Sequence, residues 1–70
     1  MMRRIVIQHR TSKRFLAPLP SPESTGIHEV KEPVNAAHYV TEELAEGDRA
    51  LLGEFKDAYA VVTVEIGGVR

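Results

Sequence analysis

Tyr59-Ala60-Val61-Val62-Thr63-Val64-Glu65-Ile66 is the stretch that decides the fold. Its β-branched residues fit a pleated surface better than a helix, and its end alternates apolar with polar, so it reads as a strand. Gly67-Gly68 stops it. Strand alternation places Ala60, Val62, Val64 and Ile66 on the expected core face. Such a strand needs neighbours to pair with and an element to cover that face, and the chain upstream offers both.

In residues 4–9, Ile5 and Ile7 fall on one face and Val6 on the other, a second strand. Arg10-Thr11-Ser12-Lys13 is polar and turn-compatible, and Phe15-Leu16-Ala17 follows at hairpin distance, so an antiparallel strand is expected over 14–17. Pro18 has no N–H to give and ends it. From Pro18 to Gly26 prolines alternate with other residues, which describes an extended, polyproline-like flexible loop. Ile27-His28-Glu29-Val30 is a short strand closed by Pro33.

The cover is a helix. Thr41 can cap its start, and Glu42 and Glu43 in the first turn complement the helix dipole. Leu44, Leu51, Leu52 and Phe55 recur at helical spacing, so one helix is expected within 42–58, the alternative being two short helices joined at Gly47. The fold class is therefore α+β: an antiparallel sheet of three to four strands (hairpin, short strand, then a final strand after the helix) with one helix packed on one face. The expected core is Leu44, Leu51, Leu52, Phe55, Val62, Val64, Ile5 and Ile7.

Seventy residues, 43% of them hydrophobic and 27% charged, make one domain over 1–70, too small for deep two-lobed clefts or large cofactor cavities. Without cysteine there is no disulfide framework, zinc knuckle, iron–sulfur centre or thiol nucleophile. After Met1-Met2-Arg3-Arg4 only Ile5-Val6-Ile7 precedes Gln8, far short of a signal-peptide core or a span of about 20 apolar residues. A cytoplasmic protein with no membrane partner is expected.

Charge is polarised although the net value is −1. Residues 1–22 carry Arg3, Arg4, Arg10, Lys13 and Arg14 with no acid, whereas residues 23–57 carry nine acids against Lys31, Arg49 and Lys56. Poles of this kind can choose partners, or can simply attract each other within the fold. The basic residues fall on the expected hairpin and could neutralise phosphates, with Phe15 stacking on a base; few aromatics and the downstream acids weigh against it. The acidic run around Glu42, Glu43 and Glu46 offers the opposite, a carboxylate surface for a basic groove.

Reactive constellations do not assemble. His9, His28 and His38 lie on different expected elements without metal-ligand spacing, so no metal site and no cofactor is expected. Ser24, His28 and Glu29 supply hydrolase residue types but no strained nucleophile elbow, and the carboxylate pairs Glu42-Glu43 and Glu29 with Glu32 lack a cleft to separate their pKa values. No glycine-rich phosphate loop is present. The expectation is a protein that is not an enzyme.

Ile5-Val6-Ile7-Gln8-His9-Arg10, Arg14-Phe15-Leu16-Ala17-Pro18, Ala36-Ala37-His38-Tyr39-Val40-Thr41-Glu42-Glu43 and Val61-Val62-Thr63-Val64 together resemble small proteins of bacteriophages and prophages built as hairpin, strand, helix, strand. The resemblance spans most of the chain, rests on structural residues and carries over no catalytic one. It implies an accessory role, because small phage proteins often act by binding a host enzyme or nucleic-acid machine. The expected function is thus a non-catalytic binding protein that docks on and modulates a larger host protein or nucleic-acid-processing complex, the alternative being a nucleic-acid module using the basic hairpin. Candidate contacts are Arg10, Lys13 and Arg14 on the hairpin, Glu42, Glu43 and Glu46 on the helix, and Leu19 and Tyr39 as apolar anchors. The same surface could serve a homodimer.

Overall fold

The computed structural model describes residues 2–19 and 26–66. Strands β1 (Met2–His9), β2 (Phe15–Leu16), β3 (Glu29–Val30) and β4 (Tyr59–Ile66) form one antiparallel sheet in the order β3-β2-β1-β4, and helix α1 (Glu42–Ala50) covers one face. This is the expected small α+β architecture. β1 and β4 pair along their whole length, from Met2↔Ile66 to His9↔Tyr59. The strands expected over 14–17 and 27–30 shorten to two residues each, joined through Phe15↔Val30 and Leu16↔Glu29. Pro18 explains the first limit: the Ala17 N–H still reaches the His28 carbonyl at 2.9 Å, and the next residue has no donor to continue. Most of the expected 18–26 loop, residues 20–25, lies outside the described residues, as does Gly67-Gly68.

Register corrects the expected core. Directly paired residues share a face, and Ile5↔Thr63 and Ile7↔Val61 put those four on one side, with Val6↔Val62 and Arg4↔Val64 on the other. Ala60, Val62, Val64 and Ile66 therefore lie opposite Ile5 and Ile7, away from the helix. Val61 and Val62 are both apolar, so alternation alone could not say which would face α1; pairing with β1 does.

The sheet consequently has a core on each face. On the helix side Ile7, Leu16, Ala45 and Tyr59 are buried together, flanked by Ile5, Tyr39, Leu52, Ala58 and Val61. On the other side Val6, Phe15 and Ala36 are buried, with Val30, Val62 and Val64 packed against them. The chain reaches that second face through a 3-10 turn at Pro33–Asn35. It then returns along the edge of β1 that the short β2 leaves uncovered: the Ala37 N–H bonds the Leu16 carbonyl and the Tyr39 N–H the Ile5 carbonyl, both at 3.0 Å.

Thr41 caps α1 as expected, its hydroxyl accepting from the Leu44 N–H at 3.2 Å. The helix runs straight through Gly47 and ends at Ala50, and the break falls instead at Gly53, whose φ of +64° turns the chain into a 3-10 helix, Gly53–Ala58. Three expected core residues are consequently outside: Leu44 is 58% exposed, Leu51 83% and Phe55 55%. Ala45, Arg49 and Leu52, four and three residues apart, form the inward stripe instead. Polar ties hold that rotation. The Tyr39 hydroxyl donates to Asp48 Oδ2 at 2.7 Å, and the Arg49 guanidinium donates to the carbonyls of Lys56 at 2.6 Å and Tyr59 at 3.3 Å. Ala45, fully buried, lets the helix lie close on the strands. Among the described residues no helix is long and apolar enough to cross a membrane.

Candidate functional site

An apolar groove of about 570 Å³ opens between the C-terminal end of α1 and the β2–β3 side of the sheet. Its floor is Leu16, Ala37 and Leu52, and its rim is Leu19, Ile27, Tyr39 and Leu51. It opens where the two neighbouring leucines part, Leu52 packed against the helix-side core and Leu51 left 83% exposed. Leu19 and Ile27 remain 43% and 42% exposed on the opposite rim. The structure thus brings the two expected anchors, Leu19 and Tyr39, to one groove, and adds Ile27 and Leu51, which sequence reasoning did not single out as contacts. The adjacent Leu51-Leu52 pair was the available signal, since residues about 100° apart around a helix do not both point straight at a sheet.

Tyr39 is only partly free to act as an anchor. Its ring lines the groove while its hydroxyl is spent on Asp48, and burial, followed by the neighbouring carboxylate, raises its pKa above the ordinary phenol value. Tyr59 is more enclosed. Its ring meets His9 edge-on at 4.9 Å and its hydroxyl crosses the helix side of the sheet to donate to the Glu29 carboxylate on β3. Burial first, then Glu29, push its pKa up to about 12.

The acidic trio gathers elsewhere. Glu42, Glu43 and Glu46 line a depression of about 340 Å³ with Val61, along the seam between α1 and β4. Arg49 bonds Glu46 through Nε at 2.8 Å, and this contact holds the Glu46 carboxyl below its usual range, with the charges of Arg10 and Lys56 adding to it. Arg10 is itself engaged: its Nε donates to the Asp57 carbonyl at 2.9 Å and its N–H to the Ala58 carbonyl at 2.8 Å. One basic residue of the hairpin therefore turns towards the helix acids. Lys13, at φ +66°, and Arg14 stay exposed at the turn.

The five N-terminal basic residues do not form one cluster. Arg3 and Arg4 sit at one end of β1 and Arg10, Lys13 and Arg14 beyond the other, about 20 Å away at strand spacing. Arg3 faces Glu65 at 3.6 Å. Phe15 is 6% exposed in the second core and presents no ring to a base.

The histidines are scattered: His28 lines the apolar groove, and its backbone carbonyl accepts from the Ala17 N–H. His9 Nδ1 accepts from the Thr11 and Ser12 N–H groups, both at 3.1 Å, and so fastens the hairpin turn. His38 lies exposed, with Nε2 donating to the Pro33 carbonyl at 3.0 Å. Among the described residues no three metal-ligating side chains gather. Ser24 lies outside them, and Glu29, its supposed partner, is bonded to Tyr59. The molecule is a small α+β domain with a four-stranded antiparallel sheet, one covering helix and an open apolar groove. No protein-family model, curated protein or solved structure matches the chain.

Proposed function

We propose that this domain works by binding and not by catalysis, docking on a larger bacterial host protein or nucleic-acid-processing complex and modulating it. The observation that carries this reading is the groove rimmed by Leu19, Ile27, Tyr39 and Leu51. A domain this small has few apolar residues to spare, and leaving Leu51 83% exposed beside two other half-exposed aliphatics is a feature of surfaces that meet a partner. The exposed charges at Lys13, Arg14, Glu42 and Glu43 would steer the encounter, while the groove would supply the desolvated anchor that charges alone do not. The resemblance to small phage proteins is the reason for naming a host protein as the target.

The test is a pull-down from bacterial lysate with the wild type beside Leu51→Asp, run together with light scattering for mass. Leu51 is exposed, so the variant should fold, and the expected result is one dominant partner that is lost on the substitution. A homodimer through the groove with no enriched protein overturns the proposal. Retention on DNA or RNA that falls steeply with salt and is lost in an Arg10/Arg14 double replacement also overturns it, in favour of a nucleic-acid module.

A further inference from the structure

β4 is an edge strand, and its outer side is the longest stretch of unpaired backbone in the sheet among the described residues. Which groups point outward follows from the bonding phase. The Arg10 N–H donates to the Ala58 carbonyl, so Arg10/Ala58 is a hydrogen-bonded pair, and in an antiparallel ladder such pairs recur at every second residue. Ala60, Val62 and Val64 therefore spend their N–H and C=O groups on β1, while Val61, Thr63 and Glu65 aim theirs away from it. Two other contacts have the same phase. The Arg49 guanidinium reaches the Tyr59 carbonyl from the open side, and on the far edge of β1 it is the odd-numbered Ile5 and His9 that bond Tyr39 and Arg14.

Long edges of this type are ordinarily blunted by proline, by bulges or by charge along the strand. From Tyr59 to Glu65 β4 has no proline, and no charge before Glu65, and it is rich in valine. Arg49 closes the edge at Tyr59 and leaves Val61, Thr63 and Glu65 open.

Bordering β4 on the helix side are Glu42, Glu43 and Glu46, which share the depression at Val61, and Glu46 is bonded to Arg49, the residue that reaches β4 from its open side. A strand added to β4 would lie about 4.8 Å further out and place alternate side chains on that side, beneath the carboxylates. We infer that β4 accepts an extended segment of a partner protein as a fifth strand, with lysine or arginine at the alternate positions facing the helix acids and apolar or neutral residues beside Val62 and Val64. Charge selects this occupant over a second copy of the chain. Two copies paired through β4 would bring both sets of carboxylates to one seam, and the residues of β4 on that face, Val61, Thr63 and Glu65, offer no cation. Main-chain bonds would give the pairing, and the alternating cations its selectivity.

The experiment uses a fluorescent peptide of about seven residues that alternates lysine with valine, a strand length suited to this edge. Binding is followed by anisotropy and by amide shifts in the full chain. The expected result is binding with shifts centred on Val61, Thr63 and Glu65, weakened about ten-fold or more in Thr63→Pro. The Thr63 N–H points outward, so proline there removes no bond to β1 and the fold should survive. The same peptide N-methylated at alternate residues, tested on the wild type, should lose binding in step and covers the case in which the proline variant unfolds. Glu42→Gln/Glu43→Gln should also weaken binding, and a peptide alternating glutamate with valine should not bind. Equal binding of the N-methylated peptide, or of the glutamate peptide, overturns the inference, as does no binding at all. Sedimentation showing a dimer that Thr63→Pro dissociates would overturn it in favour of self-pairing.

Discussion

Alkaline pH should unfold this domain through its two tyrosines. The chain has two tyrosines and no tryptophan, and both phenols are shielded and donate to carboxylates, Tyr59 to Glu29 and Tyr39 to Asp48. Ionising either would put a negative charge beside another negative charge in a site partly closed to water, so both pKa values are raised from 10.0, that of Tyr59 to about 12. The sign follows from proton counts. Below pH 10 folded and unfolded chains both hold the phenol proton and the stabilisation is complete. Between about 10 and 12 the unfolded chain releases it while the folded one keeps it, so stability falls by about 1.4 kcal/mol per pH unit for each such group. For Tyr59, which is 4% exposed, this amounts to roughly 3 kcal/mol across the window. Tyr39, raised by burial and by Asp48, adds a share of the same sign. A chain of this length is stabilised by only about 3.5–10 kcal/mol in all, so much of its stability is removed before Tyr59 can titrate in place.

The assay is one pH titration read two ways, by tyrosinate absorbance and by far-ultraviolet circular dichroism. The two signals should move together, steeply, at a midpoint above pH 10, because the tyrosines ionise as the fold opens. Tyr59→Phe should lower stability at neutral pH by about 1.5 kcal/mol, through the lost bond to a carboxylate, and flatten the alkaline limb. Tyrosinate appearing near pH 10 with the dichroism unchanged would refute the reasoning, because it would mean that neither phenol is shielded.

Three further outcomes are expected. Ile7→Ala, at a fully buried position, should cost about 2–5 kcal/mol in denaturant melts, whereas Leu51→Ala, at a position 83% exposed, should change stability by less than about 0.5 kcal/mol. Gly47→Ala should stabilise by about 0.5–1 kcal/mol, since a Cβ there meets nothing within 4 Å and the site is helical; the same change at Gly53, held at φ +64°, should cost about 1 kcal/mol. Thr41→Ala should lose about 1 kcal/mol and leave the first turn of α1 exchanging its amide hydrogens faster.

Much of the fold is legible where the sequence commits to one period. The β-branched run from Tyr59 to Ile66, the Ile-Val-Ile of β1, the Thr41 cap and the proline stop after Ala17 each act through a local mechanism, and each appears where that mechanism puts it. The helix face was not legible. Leu44, Leu51 and Phe55 make an apolar stripe as good as the one used, and the stripe in use is fastened by Tyr39, Tyr59 and Lys56, whose side-chain or carbonyl oxygens bond Asp48 and Arg49. Nothing in a helical period reports a hydrogen bond to a residue on another element.

The same limit governs the surfaces proposed for binding. Leu19 and Tyr39 could be chosen as anchors from exposure arguments, but that they share a rim with Ile27 and Leu51 depends on which way the helix is rotated and on where β3 pairs. The open edge of β4 is less local still. A strand is an edge only by its place in the sheet order, and β4 is one because β1, its one partner among the described residues, turns its other side to β2 and to the Tyr39 segment. A run of valines reads in sequence as the securest interior strand. Here that run stands at the margin of the sheet, beside three carboxylates contributed by a helix that precedes it in the chain. Acids at that seam repel a second copy, as charge beside an edge ordinarily does, and leave the backbone open to a strand of the opposite charge.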